Sequence, residues 1–361
     1  MKLLRTTPLA LIIAVLIGGT TAAHSPSKPD HSHRQQAMVA FAREFASKHN
    51  QPEKRIRAIL DRAVFRPDII QAMTRPAEKK AWHQYRPIFL TEKRIREGVE
   101  FWNTHRRVLE AVGAETGVPP EIITAIIGVE TFYGRITGKH RVLDALTTLA
   151  FGYPRRAAFF RSELEHFLLL AEEEGIDVLN TTGSYAGAMG YGQFMPSSYR
   201  YYARDHDGDG SRDLLHSVPD AIASVANYFK EHGWRAGQPV AFPLQASPGA
   251  RKFKAEKRPQ KPQYSWRQLA DWGYRLKPGT AVPQEFLGPN TRLSLVVLEL
   301  PDGYEYWAAL PNFYTITRYN HSPLYAMAVW QLAQAIAARH HTSTPGSLPE
   351  NETAQLSEPL L

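Results

Sequence analysis

Between Gly117 and Arg135 the chain reads GVPPEIITAIIGVETFYGR. Pro119 and Pro120 suit a helix start, where a missing N–H costs nothing, and Glu121 complements the positive end of the helix dipole. Ile122, Ile123, Ala125, Ile126, Ile127 and Val129 then leave almost no polar face. A helix that is apolar all round has to be covered on most sides, so this segment predicts a core helix with others packed around it. Glu130 stands at its end, followed by Phe132, Tyr133 and the terminator Gly134. A carboxyl at the mouth of an apolar helix loses hydration when ionised, which raises its pKa. A glutamic acid still protonated near neutral pH is what glycosidic bond cleavage requires. The same Glu could instead pair with Arg135 or another nearby cation, and on this helix alone the two readings are balanced.

The surrounding chain fits a helical protein with one β-rich interruption. From about 35 to 117 apolar residues such as Met38, Phe41, Phe45, Ile56, Ile59 and Leu60 recur at steps of three and four, the period of a helix face. A second helical block runs over 118–242. Residues 246–263 are dense in Pro, Lys and Arg and read as a loop. Leu293–Leu300 (LSLVVLEL) reads as a strand, Pro301-Asp302-Gly303 as a turn, and Tyr304–Ala308 as its hairpin partner. A small β-rich domain is therefore expected over 243–317, with a helix returning to the core over 318–340. Residues 341–361 are rich in Ser, Thr, Pro and Glu and are expected to form a disordered tail.

The first residues order themselves as a secretory signal: basic Lys2 and Arg5, an apolar run from Leu9 to Ile17, then small residues ending at Ala23. Residues 1–23 are read as that signal and 24–34, a Pro- and His-rich stretch, as a flexible spacer. The apolar run is shorter than the roughly 20 residues a membrane span needs. The 361 residues contain no cysteine. Disulfides are excluded, as is a lipid-anchored cysteine, so the expectation is an exported, soluble periplasmic protein. Its formal charge of +8 drops by two when Lys2 and Arg5 leave with the signal. A basic surface outside the cytoplasm can favour anionic cell-wall polymers or anionic lipid surfaces, but on charge alone the simpler reading, that it serves solubility, wins. No basic stripe with interleaved aromatics is present of the kind that would indicate nucleic acid.

Two further segments carry chemistry. Residues 183–198, GSYAGAMGYGQFMPSS, set four glycines, Ser184 and Gln193 among Tyr185, Tyr191 and Phe194. Glycines allow close backbone approach and Gln both donates and accepts hydrogen bonds, which suits the floor of a sugar-binding groove. A tight turn before a packed helix would look the same. Residues 205–213, DHDGDGSRD, place Asp205, Asp207 and Asp209 at alternate positions, Gly210 sixth, the Ser211 carbonyl seventh and Asp213 ninth. This is the ligand order of an EF-hand calcium loop, except that His216 holds the twelfth position and Asp220 is the nearest later carboxylate. The alternative is a solvated acidic turn.

Taken together, GVETFYG (128–134), LDALTTLAF and GYPRRAAFF (143–160), GSYAGAMGYGQFMPSSYR (183–200), the acidic loop, DAIASVANYFKEHGW (220–234) and YNHSPLYAMAVWQL (319–332) resemble the MltB-type lytic murein transglycosylases. The resemblance spans about 35–340. It implies an α+β, mainly α fold: a lysozyme-like helical catalytic core with an N-terminal helical region and a small β-rich insertion. It also implies cleavage of the β-1,4 bond between N-acetylmuramic acid and N-acetylglucosamine without water, leaving a 1,6-anhydromuramic end. Glu130 falls at the position of the single catalytic Glu, which acts as acid and then as base. Ser184 and Gln193 match groove residues, and Tyr228, Tyr319, Asn320 and Tyr325 match residues lining sugar subsites. Arg155 and Arg156 match a basic pair suited to peptide-stem carboxylates. Asp205, Asp207, Asp209, Ser211 and Asp220 match the ligands of a structural Ca²⁺, although the step from Asp213 to Asp220 is one residue longer than the family's. No organic cofactor is implied. The implied partners are peptidoglycan strands and other cell-wall enzymes, and the implied state is a monomer.

Two competing readings remain at this level. A hydrolytic muramidase would need a second carboxylate about 5–9.5 Å from Glu130, for which Asp144 and Glu163 are candidates. A non-catalytic peptidoglycan-binding protein would have no use for an intact Glu130 beside the glycine–glutamine segment.

Overall fold

The computed structural model describes residues 31–74 and 80–343. The signal read over 1–23, the first part of the spacer and the tail from 344 onward lie outside the described residues. Residues 31–34, read as spacer, are the first turn of a helix, and 341–343, read as tail, are the last turn of another.

Six helices come first: α1 (His31–His49), α2 (Glu53–Leu60), α3 (Pro67–Thr74), α4 (Trp82–Phe89), α5 (Glu92–Thr104) and α6 (Arg106–Thr116). The central block follows with α7 (Pro120–Thr131), β1 (His140–Arg141), α8 (Val142–Gly152), α9 (Ala157–Glu173), β2 (Thr182–Gly183), α10 (Pro196–Tyr202) and α11 (Val218–Glu231). Then come β3 (Ala241–Ala246), α12 (Trp266–Asp271), β4 (Tyr274–Leu276), β5 (Ser294–Leu300) and β6 (Gly303–Ala309). Two helices, α13 (Pro311–Tyr319) and α14 (Pro323–Ser343), complete the described chain.

The predicted core helix is α7. Pro119 caps it in extended conformation, Pro120 opens it, and Ile122–Val129 are all buried. It packs against α14, α5, α6 and α11, which explains why it can be apolar on every side. α8 goes further, with every residue from Val142 to Gly152 buried. α14 is the helix expected to return to the core, and Tyr325–Val329, Leu332, Ala333 and Ile336 are buried along it.

The β-rich part is a four-stranded antiparallel sheet in the order β4-β3-β6-β5. β5 and β6 form the hairpin read from the sequence, with Leu300 opposite Gly303. Successive strand residues point to opposite faces, and here the faces serve different cores. Leu295 and Val297 join a small cluster with Leu244, Leu269, Tyr274 and Leu293. Val296 and Leu298 join the main core that contains α7 and α14. A strand buried on both sides reads as a continuous apolar run, which is why LSLVVLEL lacks polar alternation. The sheet is thereby bonded into the helical body through β5, which touches α4.

Candidate active site

α7 ends abruptly. Phe132, Tyr133 and Gly134 take φ values of 52°, 60° and 85° in succession, a left-handed stretch that non-glycine residues adopt only where the surroundings hold them. The surroundings are explicit. Tyr133 Oη donates to the Arg94 carbonyl at 2.7 Å, and its ring occupies the space a Cβ at Gly98 or Gly128 would need. Thr131 Oγ1 donates to the Tyr191 carbonyl at 2.9 Å and accepts from Gly134 N at 3.0 Å. The Tyr191 ring lies where a Cβ at Gly134 would stand, at 2.0 Å. The end of α7 and the glycine–glutamine segment are thus locked together, with Glu130 beside the junction.

Glu130 is half-buried. Burial pushes its carboxyl up to about 8, against a partial opposing effect from Tyr325, whose Oη donates to Glu130 Oε1 at 2.5 Å. Tyr325 lies in the first turn of α14 and has no exposed surface. Burial raises its own hydroxyl well above the usual phenol range, so it stays a donor. Tyr85 from α4 and Tyr319 from α13 are close enough for the Glu130 charge to raise theirs too. The cation that competed for Glu130 in the sequence is engaged elsewhere: Arg135 bonds Glu97 at 2.9 Å.

The glycine–glutamine segment builds a rigid platform. Ser184 Oγ accepts from Ala186 N at 3.3 Å and Ala188 N at 3.0 Å, while Ser184 N donates to the Ala188 carbonyl. Gly183 sits against Gly138, where a Cβ would come within 2.1 Å of the Gly183 backbone, and the short β1–β2 pairing fixes this approach. Gln193, at φ 50°, is buried and donates through Nε2 to the carbonyls of Thr137 (2.9 Å) and Gly190 (3.0 Å). It braces the loop after α7 against the segment.

The four residues matched to sugar subsites separate. Tyr325 meets Glu130 directly. Asn320 is buried at the end of α13, next to Tyr319. Tyr319 and Tyr228 have no exposed surface, and their hydroxyls are spent on carbonyls, Gly192 at 2.5 Å and Arg318 at 2.7 Å. The structure therefore corrects the expectation for these two: they are packed beneath the glycine–glutamine segment with Phe194 and Phe229, and brace it without a surface for a sugar ring. Arg155 and Arg156 lie on the turn between α8 and α9. Arg155 is exposed, whereas Arg156 lies over Phe159, 4.1 Å from the ring centre, and burial lowers its pKa.

Both candidates for a second carboxylate have other work. Glu163 is buried and accepts from Ser197 N at 3.0 Å and Ser197 Oγ at 2.7 Å, at the N-terminal turn of α10. Asp144 is buried and accepts from Val64 N at 2.8 Å, with Arg141 at 3.6 Å. Neither contributes to the Glu130 shift.

In the acidic loop, carboxylate oxygens of Asp205, Asp207 and Asp209 all lie within 4.8 Å of one another and are exposed. Gly208 and Gly210 take φ 76° and 91°, and their amides donate to Asp205 at 2.7 and 2.9 Å. Three hard oxygen donors this close fit a Ca²⁺ ion. Asp220 does not join them. It is buried, burial raises its pKa, and it accepts from His206 N at 2.7 Å and Asp213 N at 2.9 Å. Its two oxygens clamp the ends of the loop, which sets it apart from the exposed cluster of three. Asp213 is turned to the Leu215 and His216 amides.

A helical scaffold presenting one phenol-bonded glutamic acid with a raised pKa beside a glycine-rich platform defines a lysozyme-like architecture. The family described as the transglycosylase SLT domain matches residues 33–334. The chain is 48% identical over 309 residues to membrane-bound lytic murein transglycosylase B of Escherichia coli K12, covering 82% of this chain and 81% of the relative. It superposes on the crystal structure of soluble lytic transglycosylase SltB1 from Pseudomonas aeruginosa with a TM-score of 0.76 at 44% identity, covering 84% and 99% of the two chains. The E. coli lytic transglycosylase Slt35 in complex with calcium gives 0.75 at 46% identity, covering 87% and 95%. This chain belongs to the SLT lytic transglycosylase family. Among the described residues no helix is long and apolar enough to cross a membrane.

Proposed function

We propose that this protein cleaves the β-1,4 bond between N-acetylmuramic acid and N-acetylglucosamine in peptidoglycan, without water, and leaves 1,6-anhydromuramic ends. The observation that carries this reading is Glu130: a carboxyl pushed up to about 8, held by one phenol, with no carboxylate among the described residues acting on it. Protonated at neutral pH, it donates its proton to the leaving glycosidic oxygen. As carboxylate it then takes the proton from the C6 hydroxyl, whose oxygen attacks C1 and closes the anhydro ring. The substrate's acetamido group can stabilise the oxocarbenium-like centre, as in substrate-assisted glycosidases. Tyr325 holds the acid in one orientation and stabilises its carboxylate between the two steps. The Ser184–Gln193 platform and Asn320 form the groove around the reacting sugars, and Arg155 and Arg156 take peptide-stem carboxylates.

A Ca²⁺ ion fits Asp205, Asp207 and Asp209 with the Ser211 carbonyl, and when bound it supplies structural charge balance to the loop. The absence of cysteine and the leader-like first residues support an exported, soluble periplasmic enzyme. Glu130→Gln keeps the shape and can still accept the Tyr325 hydrogen bond, but has no proton to give. Clearance of purified sacculi should fall by at least three orders of magnitude. A variant clearing at the native rate overturns the assignment.

A further inference from the structure

A second cleft of about 670 Å³ lies between the helical body and the β-rich part. Its helical wall is rigid. Asn312 is fully buried, accepts from Arg235 N at 2.8 Å and donates to the carbonyls of Arg235 and Gln238, both at 2.8 Å. Leu310 N donates to the Val240 carbonyl at 2.9 Å. Trp234 Nε1 bonds the carbonyl of Gly117, just ahead of α7. Glu130 lies near the other end of that helix, about 15 Å from Pro120 at 1.5 Å per residue. Neither Glu130 nor any residue of the glycine–glutamine segment lines this cleft.

Arg235 from the helical body and Lys261 and Arg292 from the β-rich part bring three exposed cations to this cleft, and none forms an ion pair among the described residues. Exposed Glu285 also lines the cleft, and Tyr314 and Phe286 add apolar surface to it. Separated cations with one carboxylate do not suit a polyphosphate, which would meet repulsion at Glu285, nor a neutral glycan, which would leave the cations unmatched. They suit a short peptide with more than one free carboxylate, a free amine and aliphatic bulk between them. We infer that this cleft binds the peptide stem of a peptidoglycan strand other than the one in the catalytic groove. This rests on the wall-polymer reading above and adds an anchoring site to it.

The test is calorimetric titration of the full chain with a synthetic stem tetrapeptide carrying free carboxylates and a free side-chain amine. The native protein should bind it with an affinity that falls as salt rises. Arg235→Gln/Lys261→Gln/Arg292→Gln should weaken binding at least 10-fold while the melting curve is unchanged. Glu285→Gln should weaken the amine-bearing peptide but not its N-acetylated analogue. Glu130→Gln should bind as the native protein does, which separates this site from the catalytic assignment. Absence of binding to the native protein overturns the inference, as does equal binding by the triple variant. Loss of binding confined to Arg155→Gln/Arg156→Gln would place the peptide at the other basic pair, and displacement by equimolar inorganic phosphate would reduce the cleft to a simple anion patch. Both results also overturn it.

Discussion

Replacing Glu130 with Gln should make the protein more stable at alkaline pH, by an amount the structure sets. The folded carboxyl holds its proton up to about 8, against an ordinary value of 4.5. A carboxyl with a raised folded pKa contributes its full stability below the unfolded value and loses it as pH rises through the folded one. The difference is about 3.5 pH units, an upper bound on the order of 5 kcal/mol at 1.36 kcal/mol per unit. Glu130 keeps a partly open face, and water reaching it reduces the expected cost to about 2–4 kcal/mol. Gln does not titrate, so the variant avoids the loss. At roughly 2 °C per kcal/mol for a chain this long, extending the trend for domains of 150–250 residues, the variant should melt about 4–8 °C above the native protein at pH 9. Parallel scanning calorimetry at pH 4, 6, 7.5 and 9 measures the gap. It should be smallest at pH 4, open between about 4.5 and 8, and level off above. A gap that does not change with pH would refute the raised pKa, whatever the activity data show.

Other consequences follow from the same contacts. Tyr325→Phe removes the donor that favours the Glu130 carboxylate; a hydrogen bond to a charged group is worth about 1.5–3 kcal/mol, partly retained by the neutral acid, so the alkaline limb of the cleavage profile should move up by about one pH unit, and a downward move would contradict the geometry. Glu163→Gln should retain most of the cleavage rate at a temperature where it remains folded, because Glu163 serves Ser197; complete loss in a folded variant would revive the two-carboxylate reading. Calcium added to chelator-treated protein should raise the melting temperature by several degrees, since about 2.7 kcal/mol accrues at 100 times the dissociation constant, and Asp207→Asn/Asp209→Asn should abolish the rise. No response of the native protein at millimolar Ca²⁺ would exclude the loop as a metal site.

What the sequence disclosed follows from what each residue type can signal by itself. An all-apolar helix ending in Glu130 has one physical solution, a buried helix with the acid at its mouth, and α7 is that helix. LSLVVLEL announced a strand, but not that Leu295 and Val296 serve different cores, because burial on both faces erases the alternation that would assign them. Tyr228 and Tyr319 could not be told from groove residues, since a tyrosine with its hydroxyl on a backbone carbonyl looks in sequence like one stacked on a sugar. Asp220 matches the family's calcium set in sequence, but spacing does not disclose that its carboxylate also clamps two backbone amides. Tyr85 carries no motif at all. It reaches the neighbourhood of Glu130 only because α4 packs against α14, a contact between residues more than 230 positions apart that no local pattern encodes.

In the proposed reaction one carboxylate serves twice and water takes no part. Mass spectrometry of the muropeptides released from purified sacculi reads this directly. The expected products end in 1,6-anhydromuramic acid, lighter by one water than their hydrolytic counterparts, with no ¹⁸O incorporated when the digestion is run in labelled water. Reducing-end muramic acid carrying ¹⁸O would contradict it and return the search to a second carboxylate.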